Sequence, residues 1–241
     1  MGFGCGLCGL SLSSSPIASS SSPLCGRAIC YAARMLHSGA LFDAVALPYD
    51  LLTRHPVWER HCALMAGRLP RGAKRVLDLG CGPGNSTVHL RRAVGSGALG
   101  GDYAMSMLRR ARRRALPVVC LDAGTLPVRD ASLDAVTMHS VLYLLRDQPG
   151  ALAEVRRVLR PGGRALLLEP QAGHLNTARG LARALRTPLW AGVALLWRTM
   201  SALYGRFTPE RLRAALESAG LRVLTIDETL GGLGLLAVAE R

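Results

Sequence analysis

Val76-Leu-Asp-Leu-Gly-Cys-Gly-Pro-Gly-Asn85 is the stretch on which the reading of this chain turns. Arg75 to Leu79 is a short apolar run that stops in glycines, the pattern of a buried strand. The glycines follow as Asp78-x-Gly80-x-Gly82-x-Gly84, with the start of a helix directly behind them. They admit positive φ and let a ligand approach the backbone closely. A dinucleotide-binding loop wants G-x-G-x-x-G. Here the third glycine comes one position early, and an acid stands at the end of the strand. A carboxylate there suits a ligand with a cationic amino-acid end better than a pyrophosphate, which seeks a helix N-terminus.

Strand and helix alternate beyond the loop. Asn85 to Ala93 reads as a helix and Ala98 to Gly101 as a second strand, ending at Asp102. Met105 to Ala115 reads as a helix with Met105, Leu108, Ala111 and Ala115 inward and Arg109, Arg110, Arg112, Arg113 and Arg114 outward. Val118–Leu121 and Leu133–Met138 are the next strands. Pro149–Leu159 is a helix stopped by Pro161-Gly162-Gly163, and Arg164–Leu168 is the fifth strand. Thr208 caps a helix that opens Pro209-Glu210-Arg211 and ends at Gly220. Leu221–Ile226 and Leu233–Ala239, joined through Gly231-Gly232, read as an antiparallel hairpin at one sheet edge. The expected fold is α/β: a Rossmann-like, seven-stranded, mostly parallel sheet with an antiparallel C-terminal hairpin and helices on both faces. Ligands of such sheets bind at the carboxyl ends of the strands, where the glycine loop sits. Two further acids stand at that end. Asp102 can accept from both hydroxyls of a ribose, and Asp122, followed by Ala123, from the exocyclic amine of an adenine.

The 241 residues suit one domain with some chain left for a tail or cap. Hydrophobic residues at 49% against 19% charged describe a globular chain. The net charge of +14 rests almost wholly on arginine, since Lys74 is the only lysine. Its plain reading is a solvated, Arg-rich surface; the sharper ones are an anionic acceptor, a membrane surface or nucleic acid. Seven irregularly spaced cysteines argue against a disulfide scaffold, and Cys81 and Cys120 are expected to act as small apolar residues. No run of about 18 apolar residues signals a transmembrane helix.

Residues 1–34 are rich in Ser, Gly and Cys and contain no acid, the composition of a low-complexity, disordered leader. The same composition fits an organellar transit peptide, and Met35 is an alternative start. The expected location is the cytoplasm, or an organelle in the transit-peptide case. Cys5-x2-Cys8 and Cys25-x4-Cys30 are spaced like zinc ligands but lack surrounding apolar periodicity, so no metal site is expected. Residues 35–73 read as an N-terminal helical cap, with a helix from Pro56 to Gly67. Residues 74–241 form the core, with a helical insertion at 171–207.

Val76–Asn85, Asp102, Asp122–Pro127, Leu133–Leu145 and Glu154–Leu168 resemble, in order, the successive motifs of the class I S-adenosylmethionine-dependent methyltransferases. Glu154-Val-Arg-Arg-Val-Leu-Arg-Pro-Gly-Gly163 is similar to the type-11, ubiquinone/menaquinone-biosynthesis-like small-molecule branch in particular. The resemblance implies S-adenosylmethionine as cofactor. It implies Asp78, Gly80 and Gly82 at the methionine end, with Cys81 and Gly84 completing the loop. It implies Asp102 and Tyr103 at the ribose, Asp122 and Ala123 at the adenine, and His139 bordering the sulfonium and the acceptor.

The implied reaction is methyl transfer by in-line displacement to a small-molecule acceptor, lipophilic or quinone/phenol-like. A sulfonium is an activated leaving group, so the protein mainly supplies alignment and exclusion of water. A base is needed only for a protonated nucleophile; His139, His174 and Tyr49 are the candidates, with His139 favoured by its place after a strand at the cofactor end. Tyr49 belongs to Phe42–Asp50, which is similar to the segment preceding the core in the quinone-type branch, where a Tyr-Asp pair lies over the cofactor. The insertion holds no acid between Glu169 and Glu210 but carries Arg179, Arg183, Arg186, Arg198 and Arg206. Trp190, Trp197 and Tyr204 recur there every seven residues, on one helical face. It reads as a lid over an apolar acceptor, or as a surface for peripheral membrane contact. An RNA methyltransferase using the basic surface and a non-catalytic cofactor-binding protein are the alternatives. Met138-His-Ser-Val-Leu-Tyr143 lacks the Asn/Asp-Pro-Pro-aromatic motif of base-amino methyltransferases, which argues against a nucleic-acid amino group as acceptor.

Overall fold

The computed structural model describes residues 53–173 and 188–241, together with 47, 49–51 and 182. The expectations for the leader, its cysteines, His174 and the first part of the insertion fall outside the described residues, as does the side chain of Trp190. The elements run α1 (Pro56–Ala66), β1 (Val76–Leu79), α2 (Asn85–Val94), β2 (Ala98–Asp102), α3 (Met105–Arg113), β3 (Val118–Cys120) and β4 (Leu133–His139). They continue with α4 (Gln148–Val158), β5 (Leu159–Pro170), α5 (Pro188–Tyr204), α6 (Pro209–Ser218), β6 (Arg222–Thr229) and β7 (Gly234–Glu240).

Three helix starts follow directly from the residues at hand. His55 Nδ1 accepts the Val57 N–H at 3.2 Å, Asp147 Oδ1 the Gly150 N–H at 2.8 Å, and Thr208 Oγ1 the Arg211 N–H at 3.2 Å. Each is followed by a proline in the first turn, where a missing N–H costs nothing.

The seven strands lie in the order β3-β2-β1-β4-β5-β7-β6. All neighbouring pairs are parallel except β5–β7 and β7–β6. The expected sheet and hairpin are both present, with β7 inserted beside β5 and β6 on the edge. The order reverses between β1 and β4, so the glycine loop leaves the sheet at its switch point. The strand pleat divides the core in two. Leu77, Leu79, Val136, Met138 and Leu167 pack with α4 and α6 through Leu152, Val155, Leu212 and Leu216. Val76, Ala135, Leu166 and Leu168 pack with Trp58, Cys62 and Met65 of α1, Leu90 of α2 and Trp197 of α5.

Local readings that differ have identifiable causes. Met105 is 40% exposed and Ala115 is exposed; the buried stripe of α3 is Met107, Leu108 and Ala111. The helix ends at Arg113, and Ala115 turns away at φ 55°. Arg110 and Arg114 are half-buried rather than outward, because each finds a partner near the glycine loop. Cys120 is exposed because β3 is the edge strand. Pro161-Gly162-Gly163 lies within β5: Leu159 pairs with Leu133, the register shifts, and Arg164 pairs with Ala135. Among the described residues, no helix is long and apolar enough to cross a membrane.

Candidate active site

Asp78 sits in β1 opposite Thr137 of β4. The pleat turns its carboxylate toward the start of α2, where Ser86 Oγ and Thr87 Oγ1 donate to Oδ2 at 2.7 and 2.6 Å. Thr137 Oγ1 donates to Oδ1 at 2.9 Å. Burial raises the pKa of this carboxyl and the three hydroxyls pull it back. A fully buried acid with three donors is a joint between β1, β4 and α2. From this position it shapes the glycine loop from beneath.

The loop itself is held by its neighbours. The N–H groups of Gly80 and Cys81 donate to Gly101 O at 2.7 and 3.0 Å. Gly80 has φ 73°, and a Cβ there would lie 2.3 Å from Val141 Cγ2. Gly82 has φ 54°, and a Cβ there would meet only Tyr49 Cε1, at 3.9 Å. Cys81 turns its thiol into the core, where a Cβ on Gly100 would lie 2.9 Å from its sulfur. Burial, then Asp78 and Asp102, push that thiol's pKa up, so it is an apolar filler rather than a ligand-facing group. Gly84 carries φ 88° at the N-cap of α2.

Asp102 ends β2. Its Oδ2 accepts the Gly82 N–H at 2.7 Å and its Oδ1 the Ala104 N–H at 2.8 Å, and the Tyr103 N–H also bonds the carboxylate. Burial raises its pKa, the N–H groups of Ala104, Gly82 and Tyr103 oppose that, and Asp78 adds to the rise. Tyr103 follows, its hydroxyl pKa raised by burial and then by Asp122. Asp122 Oδ1 accepts the Gly124 N–H at 2.9 Å, which shapes the turn after β3, and Ala123 beside it is buried. Asp102, Tyr103 and Asp122 are thus brought to one end of β2 and β3.

Tyr49 lies over this corner, packed on Ala104 and Met107. Burial, then the Asp102 charge, raise its pKa, so it presents a neutral phenol. His139 ends β4 instead of following it. Its ring stands edge-on to Trp58 at 4.7 Å, and its Nε2 lies 3.7 Å from Cys62 Sγ. Burial, then His61, hold its pKa down to about 3. An imidazole so enclosed stays neutral and walls this corner of the site.

Several residues escaped the sequence reading. Trp58 meets Trp197 at 5.5 Å, and Trp197 Nε1–H donates to Ser140 Oγ at 2.7 Å. Ser140 adopts φ 65°, a strained value for a residue with a side chain. Glu169, at the end of β5, is completely buried and accepts the N–H groups of Val141, Leu142 and Tyr143 at 3.2, 2.9 and 3.1 Å. Burial pushes its pKa up to about 8 against those three donors. Its signal was in the sequence: like Asp78 and Asp102, it is a lone acid at the end of an apolar run. Tyr143 is buried within electrostatic reach of Tyr49, Tyr204 and Glu169. Among the described residues no group of three or more His, Cys, Asp or Glu side chains could hold a metal ion.

A seven-stranded sheet with this order, a glycine loop at its switch point and an acid ending β2 is the architecture of the class I methyltransferases. A solved S-adenosylmethionine-dependent methyltransferase of Aquifex aeolicus superposes with TM-score 0.59 over 82% of this chain and 97% of its own, at 18% identity, a likeness of fold. A family model described as a methyltransferase domain matches residues 77–167. The ubiquinone/menaquinone biosynthesis C-methyltransferase UbiE of Acidiphilium cryptum is 31% identical over 215 residues, 83% of this chain and 82% of its own. The demethylmenaquinone methyltransferase of Mycobacterium sp. (strain KMS) is 40% identical over 136 residues, and the match spans 58% of that relative's length and 54% of this chain. The chain belongs to the class I S-adenosylmethionine-dependent methyltransferase family, in the branch of the ubiquinone/menaquinone biosynthesis C-methyltransferases.

Proposed function

We propose that this protein transfers a methyl group from S-adenosylmethionine to a small, lipophilic acceptor with a quinone- or phenol-like ring. The observation that carries the reading is the pairing of two walls at the carboxyl end of the sheet. One is the glycine loop with Asp102. The other is the aromatic group of Trp58, Trp197, Tyr143 and His139. Phe, Trp and Tyr make up only 5% of the chain, and two of its three Trp meet here. The names of the relatives point to the same acceptor class.

The residues present fit the cofactor. Asp102 is an acid at the end of β2 whose two oxygens are both held in place by backbone N–H groups, and a carboxylate so fixed can still accept from a ribose hydroxyl. Gly82 offers bare backbone beneath Tyr49. Bound there, S-adenosylmethionine supplies an activated methyl group. The protein's part is to hold, align and enclose. Asp102 holds the ribose, with Tyr103 and Asp122 beyond it. Tyr49 and Tyr143 are neutral hydroxyls suited to orient ring oxygens by hydrogen bonding. Trp58, Trp197 and His139 exclude water and present ring faces and edges to a flat acceptor.

Labelled S-adenosylmethionine offered with a prenylated benzoquinol or naphthoquinol tests the reading. Label should enter the organic extract. Label in the RNA of a host extract instead, or cofactor binding without transfer to any fraction, would overturn it.

A lipid-borne acceptor has its own support. The outward face of α5 presents Leu195, Leu196 and Leu203, which are 59%, 40% and 74% exposed, while the helix's one charged residue, Arg198, is buried. An apolar face within an acid-free, arginine-bearing stretch suits peripheral contact with anionic lipid. Flotation with vesicles containing phosphatidylglycerol should carry the protein up, and Leu203→Glu should release it. Equal flotation of the two proteins would remove this extension.

A further inference from the structure

Asp50 is 1% exposed, yet it belongs to the short segment before α1 and not to the sheet. Its Oδ2 accepts from Arg110 Nε of α3 at 2.8 Å and from Arg54 Nη2 at 3.0 Å. Arg54 Nε donates to Oδ1 at 3.1 Å. One turn on, Thr53 Oγ1 donates to Tyr49 O at 2.8 Å and accepts from Asn85 Nδ2 of α2 at 2.7 Å. The Asn85 carbonyl is in turn held by Arg114, which also donates to Pro83 O at 3.0 Å. The segment is therefore tied by side chains to both helices that flank the glycine loop. Between these ties Tyr49 lies on Ala104 and Met107 and faces Gly82.

We propose that Asp50 and Arg110 form a latch whose work is to position Tyr49 over the glycine loop and Asp102, so that cofactor retention depends on this ion pair. Arg110 is a positioning residue: its guanidinium meets Asp50 and acts on the ligand only through the segment it holds. The arrangement explains why α3, otherwise a solvated arginine stripe, draws Arg110 half into the protein while Arg109 and Arg112 stay exposed. Removing Arg110 leaves Asp50 paired only with the half-exposed Arg54 of its own segment, so the tie to α3 is lost and release of the segment is favoured. The apolar contacts of α3, through Met107, Leu108 and Ala111, do not involve that guanidinium.

The inference rests on the cofactor reading above, and the test separates the two. Full-length wild type, Arg110→Met, Arg110→Lys and Arg109→Met are compared by calorimetry with S-adenosylhomocysteine and by hydrogen exchange of the peptide covering residues 49–54. Arg110→Met should weaken binding about tenfold and speed exchange of that peptide several-fold, with exchange of β4 and β5 unchanged. Arg110→Lys should recover part of both effects, and Arg109→Met should match wild type. Equal exchange and affinity in wild type and Arg110→Met would overturn the latch, as would an equal effect of Arg109→Met. If wild type itself fails to bind S-adenosylhomocysteine, the cofactor reading falls and with it the latch's purpose, whatever the exchange data show.

Discussion

Asp102 Oδ2 accepts the Gly82 N–H at 2.7 Å, so an acid from the next strand holds the middle of the glycine loop in place. The carboxylate serves two ends. It fixes the backbone of the loop, and under the proposed cofactor reading it also accepts from the ribose.

Asp102→Ala removes both roles. Hydrogen bonds to charged groups contribute about 1.5–3 kcal/mol each. S-adenosylmethionine should therefore bind about 10- to 100-fold more weakly by calorimetry. Asp102→Asn keeps an acceptor oxygen and should fall between. Unchanged affinity in the Ala variant would refute the ribose assignment.

Most of the sheet was legible because its strands are apolar runs bounded by glycines, and because short connections allow few topologies. The acids at or near the carboxyl ends of β1, β2 and β3 were legible for the same reason: they break apolar runs. Their individual roles were not. Whether Asp78 faces a ligand or three hydroxyls depends on the pleat and on Thr137, 59 residues away. His139 illustrates the same limit. Its place at a strand end suggested a base, but Trp58 and Cys62 from α1 close around it. Glu169 stands out in the sequence only as an acid ending an apolar run; that it holds the loop after β4 is not legible there, because its partners are backbone N–H groups.

The enclosed His139 gives a pH test. Its pKa is about 3 in the fold, against an ordinary value near 6.5. Below pH 6.5 the unfolded chain takes up a proton that the folded chain refuses. Stability is therefore lost as pH falls from 6.5 toward 3, by up to about 1.4 kcal/mol per pH unit. His139→Gln should flatten that limb in chemical denaturation series at pH 4 to 7. Retention of the full slope in the variant would show that His139 is not its source. The methylation rate of the wild type should show no inflection belonging to His139 near neutral pH.

Glu169 works in the opposite sense. Its folded pKa is raised to about 8 from an ordinary value near 4.5. The stability it contributes is present below pH 4.5 and is lost as pH rises through 8. Glu169→Gln should abolish that decline. It also withdraws an acceptor from the three N–H groups of the loop after β4, at a cost of about 1–3 kcal/mol. Since Val141 in that loop leans on Gly80, KM for S-adenosylmethionine should rise as well. A variant with wild-type melting profiles across pH 5 to 8 would contradict this account.

Gly80 joins the two halves of the site. A methyl group there faces two separate penalties. The backbone sits at φ 73°, which costs a residue with a Cβ about 1–2 kcal/mol. The added carbon would also lie 2.3 Å from Val141 Cγ2, an overlap worth about 1–3 kcal/mol more unless the loop moves. Only the second penalty depends on Val141. Gly80→Ala should therefore lower stability and weaken cofactor binding together, while Gly80→Ala with Val141→Ala should recover the crowding part and leave the backbone part. A double-mutant cycle on unfolding free energy measures that difference, expected at about 1 kcal/mol or more in favour of the pair. Additive effects would mean that the loop after β4 yields freely, and that Glu169 does not hold it against the glycine loop.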